Sequence, residues 1–350
     1  MKGKTGQEQS ELITQLRIHK IRAKAFYQLM KEASTTPETV SFVFDLQQVH
    51  PLPKTPIGEA FYRRQISFYA FCCVSNSSRD PTFYTWTEVQ GKRGSNEIGS
   101  ALLHYLRNSD LSSAKEISLF CDGCSGQNRN AHIIHLISYW LKKEAPPNVK
   151  KVQLTFPVWG HSFLPADRAF GRVEKSLKKI SVIAGAEEYE AIYKDFGVVK
   201  KVGEDWKMYD LKKLLNTYQK IKGISNSKRI VIEKFTTSKN AIVTKVRCLS
   251  HFRFSSTTEE YRRIIKRGRN EEDLPMLTEI LLGNALSSEK KKDVLHLLQS
   301  HYGENWRSFP ELQWYQRVCE SRDDSTSTEE AVDEEEECDC IDEDDHELHI

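Results

Sequence analysis

The stretch Ile117-Ser118-Leu119-Phe120-Cys121-Asp122-Gly123-Cys124-Ser125-Gly126-Gln127-Asn128-Arg129-Asn130 carries the decisive pattern of this chain. A short apolar run of buried-strand character breaks into a polar Gly/Ser/Asn turn. Beyond the turn, Ile133, Ile137, Trp140 and Leu141 recur at i, i+4, i+7 and i+8, so 130–143 reads as a helix. An acid, Asp122, therefore sits at a strand's carboxyl end. In α/β sheets that is where ligands and chemistry gather.

Working outward, 40–46, 65–74 and 82–89 read as three strands, the third alternating with Tyr84, Trp86 and Glu88 on one face. The prolines of 51–56 argue against regular structure there. A helix follows at 95–106, where Ile98, Ala101, Leu102, Tyr105 and Leu106 form one stripe. The strand 117–121, the helix 130–143, a strand at 152–158 and a helix opened by Pro165 complete the series. The order βββαβαβα implies an α/β domain whose mixed sheet is covered by helices, the element order of the ribonuclease-H-like fold.

The chain divides into a basic helical segment (1–38, with the helix over 10–34), the core (39–185), a small basic accessory region (186–319) and an acidic tail (320–350). In the accessory region 230–235 and 241–248 read as paired strands, and 259–267 and 289–298 as helices. A basic helix so near the start suggests a piece of something longer.

Charge is unevenly spread. The formal net charge is +2, but residues 320–350 hold 16 acids and one arginine; removing these from 49 acids and 51 Lys/Arg leaves 33 and 50, a net of +17 for residues 1–319. A basic body calls for a polyanionic partner. The run 333–345 has the composition of a solvated tail that could fold back and compete with nucleic acid. No run has the length of a membrane span and the start is polar, which excludes a secretory signal. Eight cysteines without framework spacing point to a reduced, intracellular protein. Cys121 and Cys124 form a lone C-x-x-C that Cys338 and Cys340 do not complete, so zinc is not expected.

The acids fall where a ribonuclease-H-like site needs them. Asp45 ends the first strand, Glu97 opens a helix, Asp122 follows the fourth strand, and Asp167 and Glu174 lie on one face of the last helix. In-line displacement at a phosphodiester needs both the attacking and the leaving oxygen stabilised, which two Mg²⁺ or Mn²⁺ ions held by clustered carboxylates accomplish. Each acid also has a plainer role open to it: turn formation, helix-dipole compensation, or a Glu174–Lys178 pair. His161 is placed to act as acid/base or to position a phosphate. Gln127, Asn128 and Arg129 at a helix start are candidates to hold phosphate, or simply cap the turn. Lys266, Arg267 and Arg269 form a basic patch suited to phosphate contact or nuclear import.

These residues resemble a known family. Phe44-Asp45-Leu46-Gln47-Gln48 with Pro51 and Pro53, Phe61-Tyr62-Arg63-Arg64-Gln65, the run Trp86 to Ile98, Asp122 to Asn130, and Gly160 to Pro165 with Asp167, Phe170-Gly171 and Glu174-Lys175 are similar to a transposon-derived domain family of uncharacterised function. The likeness spans 40–179 and is loose beyond. It implies a DDE-transposase-like, ribonuclease-H-like core, with Asp45 and Asp122 as the first two acids and Asp167, ahead of Glu174, as the third. Two Mg²⁺ or Mn²⁺ ions, DNA as partner, a nuclear location, and activity in cleavage and strand transfer follow as expectations. A domesticated or inactive transposon remnant is equally compatible with the pattern. The alternatives are a non-catalytic nucleic-acid-binding protein and a ribonuclease-H-type nuclease, for which Glu97 would be the extra acid. An exonuclease is disfavoured, because Gln47 stands where such enzymes place an acid.

Overall fold

The computed structural model describes residues 6–161, 163–253 and 259–320. Its elements are α1 (Gly6–Ala33), β1 (Thr39–Leu46), β2 (His50–Leu52), β3 (Ile66–Ser75), β4 (Pro81–Thr87), α2 (Ser95–Arg107), β5 (Glu116–Phe120), α3 (Ala131–Lys143), β6 (Lys151–Thr155), α4 (Pro165–Leu177), α5 (Ala186–Lys194), β7 (Val198–Lys201), β8 (Arg229–Thr236), β9 (Ile242–Leu249), β10 (Arg262–Arg263), α6 (Ser288–Tyr302) and α7 (Gln313–Glu320).

One mixed sheet runs β10-β9-β8-β6-β5-β1-β3-β4-β7, with β2 paired to β3. Strands β1, β3 and β4 are antiparallel neighbours, while β1, β5 and β6 run parallel. Strands β1, β3, β4, β5 and β6, with α2, α3 and α4, thus have the order and pairing of a ribonuclease-H-like core. Parallel pairing requires crossovers, and α3 supplies one between β5 and β6.

Alternation along the central strands divides the core. Phe42, Phe44 and Leu46 of β1 and Leu119 of β5 pack with Ile98, Leu102, Ile133 and Trp140 of α2 and α3. Val43 and Phe120 face the other way, into a layer with Phe26 of α1, Val173 and Leu177 of α4, and Tyr193 of α5. Burying each large apolar side chain contributes roughly 1.5–3 kcal/mol. By the same period of two, Asp45 belongs to the Val43 face and Asp122, just past β5, to the Phe120 face. Both acids therefore emerge beneath α4.

Three expectations need correction. The accessory region is not set apart, because β8 pairs with β6 and β7 with β4, extending the same sheet at both edges. Residues 259–267 are not helical; Arg262 and Arg263 pair with Val246 and Lys245, and Ile264 and Ile265 are buried. Strand pairing and burial override the helical propensity of that segment. Pro51 lies within β2, where it faces only β3 and can forgo its missing N–H. The acidic run 333–345, with Cys338 and Cys340, lies outside the described residues. Among the described residues no helix is long and apolar enough to cross a membrane.

Candidate active site

Asp45, Asp122 and Asp167 meet at the carboxyl ends of β1 and β5, under the first turn of α4. Asp45 and Asp167 lie within hydrogen-bond reach of each other, and Asp122 is close enough to act on both electrostatically. Burial first, then the charges of Asp122 and Asp167, push the Asp45 carboxyl from 3.8 up to about 8. Burial also raises Asp167, against the pull of the Leu164 N–H. Burial and repulsion among carboxylates this close favour a proton on Asp45, the more buried of the two.

Each acid is held by local chemistry. Asp45 accepts from the N–H of Leu46 at 2.9 Å. Asp122 accepts from the Cys124 N–H at 3.3 Å and from the side-chain amide of Asn128. Asn128 is fully buried, and its own Oδ1 has no hydrogen-bond partner. The sequence alone offered Asn128 as a phosphate ligand; the structure gives its amide to Asp122 instead. Asp167, at the third position of α4, reaches back to the Leu164 N–H at 2.6 Å, as the acidic half of a capping box does.

Glu174 belongs to a different network two turns along α4. It accepts from Gln47 Nε2 at 2.9 Å and lies 3.7 Å from His50 Nε2. His50 meets the Tyr193 hydroxyl at 3.0 Å, and that hydroxyl also donates to Gln47 Oε1. His50 stacks on Tyr189, and burial lowers its pKa, with Glu174 opposing. His50, Lys54, Glu174 and Tyr189 line a cleft of about 180 Å³. Sequence patterns assign His50 and Tyr193 no role and use Gln47 only to disfavour an exonuclease, since the partners of all three are remote in the chain.

Glu97 is buried and committed elsewhere: its two oxygens accept from the N–H groups of Lys92 (2.8 Å) and Gly94 (3.1 Å). It caps α2, and a nuclease reading draws no support from it. His161 sits in the β6–α4 loop, where its ring meets His19 of α1 at 4.9 Å and its carbonyl accepts from the Tyr27 hydroxyl. Burial raises the Tyr27 pKa, and Asp167 adds to the rise, which brings α1 to the edge of the carboxylate site. The Gln127, Asn128 and Arg129 N–H groups all turn back to the Cys124 carbonyl, and Asn130 is the N-cap of α3. Arg129 lies over the Phe156 ring. Lys266, Arg267 and Arg269 are exposed beside β10, on a sheet edge several strands from Asp45. Cys121 is buried while Cys124 is exposed, and both are free thiols.

Three carboxylates are hard oxygen donors, the chemistry that Mg²⁺ and Mn²⁺ take. Among the described residues no group of three or more His, Cys, Asp and Glu stands in metal-holding geometry. The donor chemistry fits a divalent ion. Seating one requires that the Asp45 proton leave and the carboxylates shift.

The sequence family described as "Domain of unknown function (DUF7869)" matches residues 64–250, just over half of the chain. The chain belongs to that family. Asp122, Asp167 and Glu174 fall inside the matched span, and Asp45 precedes it. No curated protein matches. A solved structure entitled "Crystal structure of NurA with manganese" is similar at 13% identity and a TM-score of 0.18, far below that of a shared fold. The alignment covers 87% of this chain, which spans 64% of that protein's chain.

Proposed function

We propose that this DUF7869 protein is a metal-dependent phosphodiester-cleaving enzyme of the DDE-transposase type, acting on DNA. The observation that carries the reading is the crowding of Asp45, Asp122 and Asp167 at the sheet's carboxyl edge, with a carboxyl forced to hold a proton near neutral pH. Clustered acids perturbed by burial and by one another are a recurrent mark of functional sites. The basic body supplies a surface for a polyanion.

In this reading Asp45, Asp122 and Asp167 hold Mg²⁺ or Mn²⁺, two ions when fully loaded. Bound ions of this kind stabilise the attacking and leaving oxygens of in-line displacement. The protein's own part is positional. Asn128 fixes Asp122 and the Leu164 N–H fixes Asp167, while Asp45 would have to give up its proton to serve as a ligand. Strand transfer, transposon descent and a nuclear location belong to the same proposal through the family resemblance.

The test is cleavage of a labelled DNA duplex with Mg²⁺ or Mn²⁺. Asp122→Asn should lower the rate by about 10²–10³-fold, the scale of losing one preorganised electrostatic group. Unchanged cleavage in that variant rejects the assignment. A second reading, a nucleic-acid-binding protein without turnover, is favoured by the burial and mutual repulsion of these acids, which leave Asp45 uncharged near neutral pH and so a weak cation ligand. Salt-sensitive DNA binding with no metal-dependent cleavage would select it.

A further inference from the structure

The outward face of α4 is a line of cations that the fold leaves without ion-pair partners. Arg168, Arg172 and Lys175 are exposed on it, and Lys178 and Lys179, also exposed, continue it into the turn that ends the helix. Steps of four and three residues put Arg168, Arg172 and Lys175 on one side of the helix. Elsewhere the fold pairs its cations: Arg63 and Arg64 with Asp293, Arg107 with Glu144, Lys151 with Glu116, and Lys290 with Glu88. Among the described residues none of the five on α4 makes such a pair, although Arg168 stands close enough to Asp167 to act on it electrostatically. The helix macrodipole accounts for Lys175, Lys178 and Lys179 at the carboxyl end, but not for Arg168 and Arg172 nearer the start. A second feature lies within the line. Gly171 occupies the middle of α4, where glycine weakens a helix, and a Cβ added there would meet nothing within 4 Å. No packing within the fold therefore requires the glycine. Four residues beyond Asp167 and three before Glu174, it separates the acids' side of the helix from the cations' side.

These features select the partner. From Arg168 to Lys179 the line runs about 16 Å, at about 1.5 Å per residue. One strand of duplex DNA sets roughly five phosphates in that length, at about 3.4 Å each along the axis. The exposed residues of α4 are Arg168, Gly171, Arg172 and Lys175, and none offers an apolar side chain to a membrane or a hydrophobic groove. An acidic peptide would answer the cations, but it brings no phosphodiester to Asp167. A bare stretch of helix backbone is what a closely passing strand needs. We propose that this face of α4 is a track for the backbone of duplex DNA, with Arg168, Arg172, Lys175, Lys178 and Lys179 on its phosphates and Gly171 letting one strand pass close to the helix toward Asp167.

The track rests on the proposed reading of the adjoining acids as a DNA-processing site, but it concerns binding and can be tested without turnover. The full chain, without added metal, is titrated with a fluorescein-labelled DNA duplex at several salt concentrations, and anisotropy is followed. Arg172→Ala, Lys175→Ala and Lys179→Ala together should weaken binding by about a hundredfold or more near 0.1 M salt and lower the salt slope by about 2.7, the share of three phosphates. The same treatment of the sheet-edge patch, Lys266→Ala with Arg267→Ala and Arg269→Ala, should leave affinity within about twofold of wild type. Gly171→Gln should raise the melting temperature, because glutamine favours a helix, and yet weaken binding by about tenfold or more by holding the strand away. Wild-type affinity in the α4 triple variant or in Gly171→Gln would overturn the track. So would an equal loss in the sheet-edge variant, or tighter binding of polyglutamate or of an RNA duplex of the same length. A lowered melting temperature in Gly171→Gln would show that the fold itself needs the glycine and would overturn the close approach. The two readings fail separately. Loss of cleavage in Asp122→Asn with wild-type affinity in the α4 triple variant rejects the track alone. Binding that depends on α4, with no cleavage under any metal, rejects the enzyme alone.

Discussion

Asp167 and Glu174 occupy one face of α4, seven residues and about 10 Å apart, yet they live in opposite settings. Around Asp167 three carboxylates converge, and Asp45 has to retain a proton to relieve them. Around Glu174 donors and acceptors are matched: Gln47 donates to it, Tyr193 donates to Gln47, and His50 packs alongside. The first arrangement is a charge problem that the fold sustains, the second a solved hydrogen-bond network. Stored electrostatic strain of the first kind is what a cation or a polyanion chemistry can use. A satisfied network of the second kind instead locks β1, α4 and α5 together.

The contrast can be broken most forcefully by activity. Asp167→Asn should reduce metal-dependent cleavage by about 10²–10³-fold, whereas Glu174→Gln, which keeps an acceptor for Gln47, should stay within about threefold of wild type. Equal losses in the two variants would show that both acids serve the same site and would erase the distinction.

Stability against pH gives a second, smaller test. The folded Asp45 carboxyl titrates near 8 against 3.8 for the unfolded chain, so between those values the folded state binds more protons. Stability contributed by this group therefore falls as pH rises through that window, and is level below about 4 and above about 8. Asp45→Asn removes the penalty. It should be more stable than wild type by ~1–3 kcal/mol at pH 7, short of the full shift because the neutral amide still has to be desolvated in the same largely buried place. The gain should vanish near pH 4 in chemical denaturation. Mn²⁺ should raise the melting temperature of the wild type and leave the variant nearly unmoved. A variant less stable than wild type at pH 7 would mean that the cluster is not under strain.

Tyr193→Phe probes the matched network; it should move stability about as much as Asp45→Asn does, and activity least of all. Losing the buried hydroxyl leaves Gln47 and His50 each short of a partner, at a cost of about 1–3 kcal/mol that is independent of pH across the Asp45 window. A cleavage rate within about threefold of wild type at a temperature where the variant is folded would confirm that this network holds structure. A collapse in rate would instead tie it to the acids.

Much of the fold was legible because its signals are local. The apolar runs at β1 and β5, the stripe of Ile98, Leu102 and Leu106, and Pro165 at a helix start each announce an element without reference to any partner. Which face Asp45 takes followed only once Phe44 and Leu46 were seen to share the opposite core. The candidate site was legible only as a set of acids in order. Glu97 entered that set by position and left it by geometry, because the backbone turn at 92–94 offers it two N–H groups and burial consumes both oxygens. Asn128 was read as a phosphate ligand because it stands before a helix, and only the folded turn aims its amide at Asp122. The segment 259–267 looked helical because its side chains favour a helix; in the fold only Arg262 and Arg263 pair, on the open edge of β9, and Ile265 bridges Tyr218.

Periodicity and turn chemistry were thus sufficient for the core strands β1 and β3 to β6, the helices α2 to α4 and the placing of acids at strand ends, since each depends on neighbours a few residues away. Which acids face one another, which are tied up as caps or network partners, and which aromatic side chains remain exposed depended on packing across the sheet. Asp45 meets Asp122 and Asp167, and Gln47 meets Glu174 and Tyr193, through contacts between residues 77 to 146 positions apart. No local pattern encodes such pairings. They follow from strand register, crossover direction and the rotation of α4 over the sheet, all set by how the whole core closes.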